Sequence, residues 1–195
     1  MRPVRSFPAV CVVAFSLALA ACASAPPTLV ALPSPGTPAD AAVRDGGPSL
    51  RVRPVRLPDH LDGLPVVIGH DHQVLVVAER TEWAERPSQG VTRVLRDALA
   101  QRLGSSHVLI AGDGRRADAE LAVEVMALDP RSDGLHLDAR WSIACRAGGR
   151  STAGREAVVA AMPAETPQGV AVATSAALSQ LAEALVAQLR CQASA

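Results

Sequence analysis

The chain has 195 residues, with 19 basic and 19 acidic side chains and no net charge at neutral pH. Lysine and tyrosine are absent, and aromatic residues make up 2% of the sequence. Nucleic-acid binding wants a positive groove and several stacking aromatics; neither is available, so that class of partner is set aside.

At the start, Arg2 and Arg5 precede the apolar run AVCVVAFSLALAA, which ends in small residues. That is the layout of a secretory signal peptide. A spanning helix needs roughly 20 consecutive apolar residues with flanking anchors, whereas this run is shorter and opens onto PPT. The four residues LAAC, Leu19 to Cys22, resemble the lipobox of bacterial lipoproteins, in which the cysteine takes a diacylglycerol before cleavage in front of it. The chemistry needs a cysteine because its thiolate is the nucleophile, and Ala20 and Ala21 suit a narrow peptidase pocket. Residues 1–21 are therefore expected to leave as a signal peptide, with Cys22 the lipidated first residue of the mature protein. Three acyl chains at about 0.8 kcal/mol per methylene would make the anchoring permanent. Ala23 stands where an aspartate would retain a lipoprotein at the inner membrane, so the expected address is the periplasmic face of the outer membrane.

Residues 22–48 hold six prolines and little periodicity, and read as a tether. Within it TLVAL, residues 28–32, is either part of that tether or an edge strand. The folded domain is expected over residues 49–192. LRVRPVRL alternates apolar and charged residues like a half-buried strand, and LPDHLDGLP then breaks the chain. VVIG and QVLVVAE are strand candidates around HDH. PSQGVTRVLRDALAQRLG has helical spacing through Val91, Leu95, Ala98, Leu99 and Arg102, with Ser88 as expected N-cap and Gly104 as stop. HVLIAG is a short strand. AELAVEVMAL and LHLDARWSIAC flank the turn formers DPRSDG and predict a hairpin, which TAGREAVVAAM extends into a meander. From Thr166 a second helix carries Val170, Thr174, Leu178, Leu181, Leu185 and Leu189 on one stripe. The fold class expected is α/β, a single domain with a mixed sheet, a C-terminal antiparallel meander and two packing helices.

Once Cys11 leaves with the signal peptide and Cys22 is lipidated, Cys145 and Cys191 remain in an oxidising compartment. They are either a disulfide or two free buried thiols. A terminal helix laid across the meander could bring them together.

Catalytic patterns are missing. There is no G-x-S-x-G elbow and no phosphate-binding G-x-x-x-x-G-K-[ST], and the carboxylates of Asp59, Asp62 and Asp71 lie in ordinary loop surroundings. His70 and His72, two apart, could present two ligands on one strand face, with His60 the only nearby imidazole for a third; the plainer reading is a solvated turn or strand end, and no metal or cofactor is expected. Trp141 falls on the apolar face of a strand. Trp83, beside charges at a strand-to-helix junction, is either a lid on the core or an anchor for a partner.

The lipobox, VRPVRLPDHLDGLPVV, TEWAERP, the helix VTRVLRDALAQRL and the closing meander and helix together resemble the PqiC/YmbA-like ABC-type transport auxiliary lipoprotein family over roughly residues 50 to 190. The resemblance implies a non-enzymatic outer-membrane lipoprotein, fixed to the membrane by its lipid. It would dock the MCE-domain protein of a lipid-transport system whose permease and ATPase lie elsewhere, and homo-oligomeric rings are among the assemblies it allows. Leu57, Pro58, Leu61, Asp62, Trp83 and Glu85 carry over as a structural or partner-facing motif. The competing readings are a periplasmic small-ligand or metal-binding lipoprotein, an enzyme using the HDH site, and an assembly lipoprotein for another envelope machine.

Overall fold

The structure, a computed structural model, describes residues 25–35, 47–71, 74–110, 112–146 and 149–191. Cys22, His72 and the expected signal peptide lie outside the described residues. Among the described residues eight strands and two α-helices follow in the order β1 (Thr28–Val30), β2 (Leu50–Val52), β3 (Pro65–Asp71), β4 (Val74–Trp83), α1 (Pro87–Leu103), β5 (Val108–Leu109), β6 (Ala119–Arg131), β7 (Gly134–Cys145), β8 (Thr152–Ala160) and α2 (Pro167–Gln188). The fold is mixed α/β in one domain, with the antiparallel meander and final helix where the pattern puts them.

The strands divide between two mixed sheets rather than filling one. Three strands pair in the order β1-β4-β3 and five in the order β5-β2-β6-β7-β8. The division follows from β4, whose partners are β3, antiparallel, and β1, parallel, so that its ladder never reaches β2. TLVAL supplies β1, so the folded domain begins ahead of residue 49. The three-residue strand has no turn signal before it, because parallel pairing to β4 needs none. Its continuation is fastened by both helices. Arg93 Nη2 donates to Leu32 O at 2.9 Å, Gln101 Nε2 to Pro35 O at 2.9 Å and Ser175 Oγ to Pro33 O at 2.7 Å. Val30 and Leu32 are core residues.

β2 is shorter than its alternation suggests. Pro54 interrupts the ladder, yet Arg53 and Arg56 donate their N–H groups to Leu121 and Val123 of β6, so the chain stays alongside it. That detour sends Val55, which strict alternation would place on the face opposite Leu50, into the core with it. The β6–β7 hairpin is tighter than DPRSDG implies, for the ladder runs on to Arg131↔Gly134 and leaves a two-residue turn. Pro130 is tolerated because β2 pairs only with the beginning of β6, so this end has a free edge where a missing N–H costs nothing. Met126 is the extra residue of a bulge between Val125 and Ala127.

Helices α1 and α2 pack on one another, and α2 lies across β7 and β8. Leu95 and Leu99 of α1, Leu178 and Leu181 of α2, and Leu121 and Leu137 of the five-stranded sheet are fully buried together. Helix α2 has a mean hydropathy of 1.5 over an 18-residue window, long and apolar enough to cross a membrane, but 61% of that window is buried inside the fold. It is the core helix. Thr166 caps it, its Oγ1 accepting from Gly169 N–H at 3.1 Å, as a threonine at this position can. At the other end Cys191 and Cys145 form a disulfide with a Cα–Cα separation of 5.3 Å.

Candidate docking site

The family-motif residues come from separate stretches of the chain and meet at the N-terminus of α1. PDHLDG makes a single 3-10 turn over Asp59–Leu61, which drives Leu61 into the core, 8% exposed, and leaves His60 outside. Asp62 follows and points at the helix. Its Oδ1 accepts from Ser88 N–H at 2.8 Å, and Arg86 Nη1 lies 3.9 Å from Oδ2. A carboxylate there satisfies an orphan donor and complements the helix dipole. The expected cap, Ser88, sits instead inside α1 after Pro87 at the first helical position. The cap comes from 26 residues upstream, where no local pattern reveals it. Replacing Asp62 by alanine should cost about 1 kcal/mol of stability, read as a lower urea midpoint, and Asp62→Asn should recover most of it by keeping an acceptor.

Glu85 is tied into the same corner. Its Oε1 accepts from Arg93 Nη2 at 2.6 Å and Nε at 3.2 Å, and Nη2 also reaches Leu32 O. The approach needs a glycine at position 90, where an added Cβ would lie 3.0 Å from Leu32 Cδ1 and 3.2 Å from Glu85 Oε1. Trp83 ends β4, donates its backbone N–H to Leu64 O at 2.7 Å, and lays its ring half-buried against the core. Beneath it is a cavity of about 30 Å³, bordered by Leu61, Val91 and Thr174. Thr174 Oγ1 is buried there with no hydrogen-bond partner among the described residues.

Leu61, Asp62 and Glu85 are thus engaged within the chain. Leu57, Pro58 and Trp83 are half-buried and keep accessible surface on the same corner. Arg93, Leu32 and Gly90 complete the corner, and the sequence reading gave them no part in it. Arg93 had a readable signal, a glutamate eight residues before it across a proline; Leu32 had none.

His60 and His70 have separate surroundings, and His72 lies outside the described residues. His70 Nε2 lies 3.4 Å from Asp129 Oδ1 and His60 belongs to the 3-10 turn. Among the described residues no three His, Cys, Asp or Glu side chains are grouped to hold a metal. A separate cleft of about 490 Å³, beside β2 and the start of β6, is lined by Arg51, Arg115, Arg116 and Arg146 with Asp113 and Glu120. Hydrogen bonds from the Arg115 side chain and backbone hold the Asp113 carboxyl down to about 2, and Glu120 faces Arg53 at 3.4 Å. Cys145, also in its wall, is locked in the disulfide and offers no thiolate.

Over residues 31–186 the sequence matches the family described as the ABC-type transport auxiliary lipoprotein component. The chain belongs to that family. Membership makes it a component of ABC-type transport and a lipoprotein, hence membrane-anchored in the cell envelope. Two solved structures share the fold. One is protein XCC0632 from Xanthomonas campestris, at 18% identity and a TM-score of 0.62, covering 82% of this chain and 92% of that one. The other is a crystal structure of an uncharacterized protein, at 17% identity and a TM-score of 0.62, covering 84% and 99%. No curated protein matches the sequence. The family's transport role is auxiliary, in keeping with a site built of packing and ion pairs.

Proposed function

We propose that the protein is anchored through a lipidated Cys22 on the periplasmic face of the outer membrane and there docks the MCE-domain assembly of an ABC-type lipid-transport system. The match to the auxiliary lipoprotein family across residues 31–186 carries this reading, and the LAAC sequence ending the apolar run supplies the attachment point. The protein acts as an adaptor rather than an enzyme, and ATP is hydrolysed by the partner system. Within the motif, Leu57, Pro58 and Trp83 offer contact surface, while Leu61, Asp62 and Glu85 hold that surface in shape. A homo-oligomer is compatible with the same role.

A photo-crosslinking residue placed at Leu57 or Trp83 should capture an MCE-domain protein in the native envelope. The same residue at Val159, exposed on β8, should capture far less. Equal capture from both positions, or none from either, would remove the motif corner from the docking surface.

A further inference from the structure

Three exposed valines lie on β4 of the β3–β4 hairpin: Val74, 67% exposed, and Val76, 39%, share one face, and Val77, 49%, is on the other. They occupy an arm set apart from the rest of its sheet. Between the pairs Pro65↔Glu82 and Val67↔Val77, β4 takes five residue steps where β3 takes two, and the surplus includes Arg80 at φ +47°. β1 pairs only with the last residues of β4, Thr81 to Trp83, so β4 lacks that neighbour along the arm. Isolated surface valines need no explanation, but a cluster at one end of a hairpin does.

The direction of β1 says what lies at that end. β1 is parallel to β4, with Thr28 beside Thr81, so the chain entering β1 comes from the side on which β4 begins, the side of Val74. Six residue steps separate Cys22 from Thr28, a span of about 20 Å at full extension. The hairpin projects by a similar amount, since Pro65, level with Glu82, lies six steps from Asp71 at its end. An anchored Cys22 therefore cannot lie much farther out than the valines. The tether read over residues 22–48 is shortened because its middle is stitched into the fold as β1.

We infer that the valine end of the β3–β4 hairpin rests in the lipid surface to which Cys22 is anchored, as a second, non-covalent membrane contact. The inference rests on the reading of Cys22 as lipidated. His70, level with Leu75 between Val74 and Val76, faces Asp129 together with Arg131, so polar groups able to meet lipid headgroups flank the valines.

The test is made on the mature lipoprotein in vesicles of phosphatidylethanolamine and phosphatidylglycerol. With Cys22 lipidated and Cys145 and Cys191 bridged, Val76→Cys gives the mature chain a single free thiol for an environment-sensitive fluorophore. Val172→Cys, at an exposed position on α2, gives a matched control. The probe at position 76 should emit in the blue and be quenched several-fold more by lipids carrying a nitroxide on the acyl chain than the probe at position 172. Equal and weak quenching at both positions, with intact mass showing lipid on Cys22, would overturn the hairpin contact while leaving the anchor in place. An intact mass without lipid would bring down the anchor itself, and the inference with it.

Discussion

Cys145→Ala combined with Cys191→Ala should destabilise the domain by about 4 kcal/mol, the loop-closure value for a bridge across 46 residues. The bridge joins the end of β7 to the chain just past α2, and thereby closes a loop containing β8 and the whole of the core helix. Its surroundings are built for it. Gly149, at φ +77°, pairs with Cys191 in an isolated bridge, and a Cβ there would lie 2.3 Å from Arg190 O. Urea denaturation should show the midpoint falling to the same value in the double variant and in the reduced native protein. An unchanged midpoint would mean that α2 is held by its leucines alone.

Trp141→Ala should cost about 3–5 kcal/mol, the usual range for removing a large buried aromatic. Trp141 of β7 sits opposite Gly154 of β8 and is 9% exposed. The ring occupies the volume a side chain at 154 would need, for a Cβ there would come within 2.7 Å of Trp141 Cζ2. Gly154→Ala should therefore destabilise as well, by overpacking rather than by a void. The two changes together should cost less than their sum, since the alanine methyl partly fills the space the indole leaves. Thermal melts of the two single variants and the pair measure this directly, and strict additivity would contradict the packing described.

The elements legible in the sequence are those whose signal is local. The 3.6-residue stripe of α2, its start at Thr166 and the alternation of Leu121, Val123 and Val125 each depend on near neighbours in the chain, and each lies where that pattern puts it. The features that escaped are long-range. β1 is three residues among prolines and pairs with a strand more than fifty residues away; Asp62 caps α1 from 26 residues upstream; and the exposure of Val74, Val76 and Val77 reflects only what fails to pack on them. The same division runs through the docking site. PDHLDG and TEWAERP can be recognised as a motif, but that Leu61, Asp62 and Glu85 face inward while Leu57, Pro58 and Trp83 keep accessible surface depends on Arg93, Leu32 and Gly90 arriving from elsewhere.

Docking is tested most directly by affinity purification of the lipidated protein from its native envelope in mild detergent, with mass spectrometry of what accompanies it. An MCE-domain protein should be recovered with the native chain and largely lost with Trp83→Ala, in a variant whose melt shows it still folded. Repeated recovery of the lipoprotein alone, or with an unrelated outer-membrane complex, would contradict the adaptor role and leave the family and the fold standing without it.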